Sequence, residues 1–379
     1  MHDEFPQREG LVYLNHAAVG VWPRRTAETV RRFADENMRQ GAASYPQWMQ
    51  VEQSLRRRFS RLIGAPSSSD IALVKNTSEG LSFIASGLEW QACDNIVSLR
   101  QEFPSNRMVW QALEDQGVEL RLIDLQSSPD PEAAIMQCCD ARTRIISVSS
   151  VQYASGLRMD INRLGLFCRR EGVLFCVDAI QSLGALEFDV TACAADFVVA
   201  DGHKWMFGPE GVAVFYSRPE AREQLALHQF GWHMAEKAGD FDAEDWSPAE
   251  SARRFEPGSP NMLGIHALNA SLSLLEDTGM EVIEAELLKR TRRLIELVDG
   301  VPSLELLSSR ITERLSGIVS FRRTDLDTDG HAALYSYLMG RDVICALRGG
   351  GIRFSPHFYT PIAQLELALS IVADFKPVA

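Results

Sequence analysis

The stretch Asp196-Phe-Val-Val-Ala-Asp-Gly-His-Lys-Trp-Met-Phe-Gly-Pro-Glu-Gly211 carries one lysine in a setting that could make it reactive. A strand-like run ends at Asp201–Gly202, followed by His203 and Lys204 and then a turn rich in glycine and proline. A lysine after a strand is usually a surface charge. Here Trp205, Met206 and Phe207 follow at once, so the ammonium would be partly desolvated and its pKa lowered, which is what Schiff-base chemistry requires. Upstream, Val173-Leu-Phe-Cys-Val-Asp178 reads as a buried strand ending in a carboxylate, with Gln181 just beyond. A carboxylate there is poorly placed unless a cation meets it. A protonated pyridine nitrogen would serve, and so would the plainer role of capping the turn that follows. In Lys75-Asn-Thr-Ser-Glu-Gly80, Thr77, Ser78 and Gly80 offer hydroxyls and backbone N–H groups at the start of the helical run Leu81–Leu88. That is either a phosphate cradle or a simple cap.

The elements that must position these residues alternate along the chain. Strand-length apolar runs occur at Asn95–Leu99, Leu120–Asp124, Arg144–Ser149, Val173–Asp178, Phe197–Ala200 and Val212–Tyr216. Helical patterns lie around them at Ser78–Leu88, Ser105–Gln116 and Ile161–Glu171. This predicts an α/β fold whose mostly parallel sheet gathers ligands at the carboxyl ends of its strands. The stretch Arg218–Glu256 is less periodic and is expected to wrap the surface or a subunit contact. Two helices, Asn261–Asp277 and Met280–Val298, lead into a mixed segment, Ser303–Ala379. The expected division is a large domain over 15–256 and a smaller C-terminal α+β domain over 257–379, joined by 1–14.

Composition narrows the function. Acidic residues outnumber basic ones by 51 to 38 for a net charge of −13, which disfavours a nucleic-acid partner. The basic pairs Arg24–Arg25 and Arg56–Arg58 read as solvated helix faces. Seven cysteines without paired spacing and eight histidines without a cluster argue against a metal site; the cysteines read as buried free thiols. No run reaches membrane-span length and Met1–Gly10 lacks a signal-peptide pattern, so a cytoplasmic enzyme is expected, with no membrane partner.

In this order the three stretches, with Tyr13–Ala18, Glu102-Phe-Pro-Ser-Asn106, Arg254–Asn261 and Ile352–Tyr359, resemble the class V aminotransferase family of fold-type I pyridoxal-phosphate (PLP) enzymes. That family includes cysteine desulfurases, isopenicillin N epimerase-like proteins, kynureninase and C–S lyases. The resemblance implies that Lys204 carries PLP as a Schiff base, Asp178 pairs with the ring nitrogen and Gln181 donates to the phenolic oxygen. It implies that His203, Thr77 and Ser78 hold the phosphate and that Phe103 stacks on the ring. Gly258 and Ser259 would complete the phosphate site of a neighbouring subunit, making a homodimer. Arg353 would clamp a substrate carboxylate, with the turn Gly349–Gly351 presenting it. Tyr153, His16 and His357 would face the substrate or fill space. The implied reaction passes from an external aldimine on a small α-amino acid to a Cα carbanion. Transamination and β-elimination of the C–S lyase type rank together, and epimerisation lower.

Two departures bear on the activity. Desulfurases of this type carry a nucleophilic cysteine shortly after an arginine matching Arg348, whereas Leu347–Arg353 holds none and Cys345 reads as core. Asp201 stands where many relatives have a small hydroxyl residue; it either orients His203 or belongs to a plain turn. A PLP-binding regulator lacks any DNA-binding module here. A nicotinamide dehydrogenase lacks the G-x-G-x-x-G loop.

Overall fold

The computed structural model describes residues 3–242 and 244–376. Seven strands form one sheet in the order Ile71–Val74, Ala213–Ser217, Phe197–Asp201, Leu174–Asp178, Thr143–Ser149, Asn95–Leu99 and Glu119–Ile123. Only Ala213–Ser217 runs against the rest. Alternate side chains of each strand serve opposite cores. Ile96, Ile145, Leu174, Phe197, Val199 and Phe215 meet Leu81 and Ile84 of the helix Thr77–Gly87. Val97, Ile146, Phe175, Val177, Val198 and Val214 meet Leu55 and Phe59 of Tyr45–Leu62, Leu164 of Ile161–Glu171 and Leu268 of Met262–Thr278. With both faces covered, the strands have to be apolar almost throughout, and this is the pattern the sequence carries. The α/β class with a mostly parallel sheet is therefore as expected.

A second sheet is antiparallel, in the order Ala346–Arg348, Gly351–Phe354, Val319–Arg323 and Leu304–Leu306. Its core joins Phe321, Ile352 and Phe354 to Leu294, Leu334, Leu365 and Leu369, with Val12 and Leu14 from the N-terminal segment. The strand Val12–Tyr13 pairs in parallel with Val343–Ile344, so the chain's start is built into this unit. Helix Met262–Thr278 packs on Arg24–Gln40 and Tyr45–Leu62, and its Met262, Ile265 and Leu272 share the large sheet's core. We propose accordingly that the division expected at 256/257 lies within Met280–Asp299. Residues 1–2 and 377–379 of the expected small unit lie outside the described residues.

Three local expectations are corrected. The helix expected over Ser105–Gln116 ends at Gln111, and Glu114–Gln116 is a separate helical turn closed by left-handed Gly117. Arg56 is not on a solvated face: it is buried, pairing with Glu52 one turn back and with Glu256, whose Oε2 accepts from Nη2 at 2.7 Å. Of the cysteines, Cys168, Cys176, Cys193 and Cys345 are buried, but Cys93 is exposed. No helix among the described residues is long and apolar enough to cross a membrane.

Candidate active site

The parallel strands deliver their last residues to one end of the sheet. Asp178 ends one strand and Asp201 ends its neighbour; Lys204 follows three residues later, and Phe103 follows the strand Asn95–Leu99. The chain has five lysines and only Lys204 is buried. Burial lowers its pKa; Asp178 opposes that shift and Arg353 adds to it. Trp205, Met206 and Phe207 are buried behind it, and Phe207 is held at φ 58°, a left-handed conformation that a bulky residue adopts only when its surroundings enforce it. Gly20, which the sequence reading missed, closes the turn from the other side. Its N–H donates to the His203 carbonyl at 2.6 Å, and a Cβ there would lie 2.0 Å from the Lys204 carbonyl oxygen. The Phe103 ring is 41% exposed, with the Lys204 Nζ 5.6 Å from its centroid and Tyr153 edge-on at 5.2 Å.

Asp178 is buried, and burial raises its pKa; Glu102 raises it further while Lys204 lowers it. Its Oδ1 accepts the Ile180 N–H at 3.0 Å, so the capping role is real but occupies one oxygen of two. Gln181 is buried beside it. Its Oε1 accepts from the Trp205 indole at 2.8 Å, and its Nε2 donates to the Ala17 carbonyl at 3.1 Å, which uses one of two amide hydrogens.

Asn76 caps the helix Thr77–Gly87 by accepting from the Glu79 N–H. The N–H groups of Thr77 and Ser78, at its first positions, have no intrahelical acceptor. Thr77 Oγ1 is buried without a hydrogen-bond partner, and Ser78 Oγ donates to Ser105 Oγ at 2.8 Å. His203 Nδ1 lies 3.0 Å from Asp201 Oδ1 but off the line of a hydrogen bond, so neither atom has an aligned partner among the described residues. That proximity favours the orienting role for Asp201. Gly258 and Ser259 are exposed, bordering a cleft with Lys75 and Asn261.

Arg353 enters from the second sheet. Arg348 and Gly351 face each other across a two-residue turn in which Gly349 and Gly350 have φ 61° and 82°, so the expected tight turn is a hairpin with both central residues left-handed. Arg353 is 2% exposed, and among the described residues no carboxylate pairs with it. Nη1 donates to the Tyr153 carbonyl at 2.7 Å, Nη2 reaches Asn15 Oδ1 at 3.4 Å, and Nε has no partner. Burial and Arg348 push its pKa down to about 10.

The structure does not leave His16 free for a substrate. It is fully buried, with Nδ1 3.0 Å from the Ser355 carbonyl and Nε2 2.8 Å from the Tyr359 hydroxyl. Both nitrogens are taken, and burial lowers its pKa to about 4, so it is a neutral core histidine. His357 is likewise buried, donating from Nε2 to the Trp205 carbonyl and accepting the Phe358 N–H at Nδ1. Cys345 is buried before the hairpin, and burial pushes its thiol up to about 12.

The sequence pattern described as aminotransferase class-V matches residues 12–352. A protein of Methanothermobacter thermautotrophicus named "Probable cysteine desulfurase" is 27% identical over 383 positions, covering 96% of this chain and 94% of that protein. The apo structure of a cysteine desulfurase from Thermococcus onnurineus superposes with a TM-score of 0.88 at 25% identity, covering 98% of this chain and 96% of that one. A cystine C–S lyase, C-DES, shares the fold with a TM-score of 0.90 at 22% identity over 98% and 100% of the two chains. The chain belongs to the aminotransferase class-V family.

Proposed function

We propose that this chain is a PLP-dependent enzyme that holds its cofactor on Lys204 and acts on a small α-amino acid, breaking a bond at Cα and releasing the β-substituent. The observation that carries this reading is the one buried lysine, in the field of a buried carboxylate, Asp178, and of a buried guanidinium, Arg353, that has no carboxylate partner among the described residues. The residues present fit the cofactor: Thr77 Oγ1 is a buried atom without a hydrogen-bond partner among the described residues, and the imidazole of His203 has Asp201 3.0 Å away to orient it. With Ser78 and the first N–H groups of the helix they would hold a phosphate. Phe103 offers an open ring face for stacking, and Gln181 has a remaining N–H for the phenolic oxygen. Asp178, with one oxygen engaged at Ile180, would have the other for a protonated pyridine nitrogen.

PLP, when bound, delocalises the electron pair left by a broken Cα bond. Lys204, which would hold PLP, would also be the base that moves the Cα proton. Arg353 grips the α-carboxylate and so fixes which Cα bond faces Lys204. Tyr153 lines this side of the site against Phe103. Exposed Gly258 and Ser259 supply phosphate contacts to a second copy, so the working unit is a homodimer.

The relatives named cysteine desulfurases support a sulfur amino acid as substrate. No cysteine lies in the hairpin, and Cys345 is a buried thiol rather than a thiolate. The sulfur therefore leaves by elimination and is not handed to a protein thiol. Borohydride reduction of the PLP-loaded protein should fix the cofactor on the peptide containing Lys204; recovery on Lys75, Lys237, Lys289 or Lys376 would overturn the assignment. Cysteine should then yield pyruvate, ammonia and sulfide, and cystine pyruvate, ammonia and cysteine persulfide, with Cys345→Ser releasing sulfide from cysteine as fast. A keto acid without ammonia would indicate transamination, inverted substrate epimerisation, and no turnover of any amino acid a binding protein.

A further inference from the structure

Glu102 stands directly before Phe103 and is buried, yet no basic side chain pairs with it among the described residues. Its partners are all placed to donate. Oε1 accepts the Ser149 N–H at 2.8 Å and Gln152 Nε2 at 3.0 Å. Oε2 accepts the Ser149 hydroxyl and Asn106 Nδ2, the latter at 3.1 Å. Asn106 is locked in that orientation because its Oδ1 accepts from the Trp110 indole at 3.1 Å and from the Ser147 hydroxyl at 2.6 Å. A backbone N–H and two amide NH2 groups can only donate, and the Ser149 hydroxyl adds a fourth hydrogen bond, so this cradle suits a carboxylate better than a carboxylic acid. Burial raises the Glu102 pKa, and the four donors offset that rise only in part.

The place of that charge is informative. Ser149, which holds both Glu102 oxygens, is in register with Asp178 on the adjacent parallel strand. The backbones of Ser149 and Asp178 thus lie about one strand spacing apart, roughly 5 Å, and the Glu102 charge acts on Asp178 at the end of the sheet where Lys204 is buried. We infer that Glu102 is an ionised positioning residue. It fixes the turn that carries Phe103, and its charge reinforces Asp178 in keeping the cofactor's ring nitrogen protonated. The inference rests on the PLP reading of Lys204. A buried negative charge disfavours ionisation of its neighbour unless a proton is shared there, so Asp178 binds a cationic ring more firmly with Glu102 charged than without it.

The test is the pH titration of the visible absorption band of the PLP-loaded protein. Glu102→Gln keeps the shape of the side chain and removes the charge. The band's midpoint should fall by about one pH unit, the size expected for one charge at short range in a poorly solvated interior. In an Asp178→Asn background the same substitution should shift it by less than half as much. An unchanged midpoint in folded Glu102→Gln overturns the inference, and so does a full-sized shift without Asp178. If Glu102→Gln does not fold, Ser149→Ala removes one donor and should move the midpoint the same way by a smaller step; no movement there also overturns it. Absence of any visible band in the unsubstituted protein would instead defeat the PLP reading.

Discussion

Lys204 and Asp178 share a buried site, so each sets the charge of the other. Only the neutral amine can attack an aldehyde, so capture of PLP should speed up as pH rises through the Lys204 pKa, which burial has brought below the ordinary lysine value. The Asp178 carboxylate works against that lowering. Asp178→Asn should therefore move the midpoint of the capture-rate profile to lower pH, measured by rapid-mixing absorbance, while turnover falls steeply because the ring nitrogen loses its proton. A midpoint that stays put would mean the two groups do not interact. At Arg353 the chemistry is geometric: lysine keeps the charge but cannot make two parallel hydrogen bonds. Arg353→Lys should raise KM for amino acids by roughly ten- to hundredfold, about 1.5–3 kcal/mol for one charge-assisted contact. Binding of amines without a carboxylate should hardly change, as equilibrium titration of the cofactor band would reveal.

The hairpin Ala346–Arg348 to Gly351–Phe354 is what aims Arg353 across from the second sheet to the Tyr153 carbonyl. Its two-residue turn has both central residues left-handed, a geometry that suits the right-handed twist of paired strands and excludes most side chains. Gly350 has open space around a would-be Cβ, so an effect of substitution there reports backbone strain and not a clash. Gly350→Ala is expected to cost about 1 kcal/mol and to raise KM through misplacement of Arg353. Gly350→Asn, which tolerates the left-handed region, should be close to neutral in both urea denaturation and kinetics. Equal losses from Ala and Asn would rule out the conformational explanation.

Across the molecule, Arg56 ties the helix Tyr45–Leu62 to Glu256, and Glu256 Oε1 also accepts the Leu73 N–H at 2.8 Å from the sheet's edge strand. Two residues after Glu256 the chain becomes the exposed Gly258–Ser259 turn proposed to serve a second copy. Removing Arg56 takes the guanidinium from buried Glu52 and Glu256 and leaves His233, 3.9 and 3.8 Å from them, as the basic group beside both. Arg56→Met should lower stability by about 3–5 kcal/mol, the usual cost of breaking a buried ion pair on one side. Glu52→Gln added to it should recover part of the loss. A lone Arg56→Met with an unaltered denaturation midpoint would mean the cluster contributes nothing.

By itself the sequence determined the α/β class, the order of the parallel strands' segments and the pairing of Lys204 with Asp178 as chemical candidates. Each of these is written locally: buried strands are apolar throughout, and a charge at the end of such a strand stands out against its neighbours. The gathering of Phe103, Asp178 and Lys204 at one end also follows, because parallel strands must deliver their carboxyl ends to the same side; Thr77 joins them through Ile71–Val74, a strand that the sequence pattern did not single out. What only the tertiary structure decided is every question of partners. Arg56 looks like surface in a helical run of arginines, and only the fold brings Glu256 to it. His16 looks like a substrate contact until Ser355 and Tyr359, more than three hundred residues away, take both its nitrogens. Gly20 carries no periodic or motif signal that singles it out, and Glu102 stands in a recognisable block that gives it no role of its own. Their importance comes from a backbone approach and a set of donors that exist only when distant strands lie side by side.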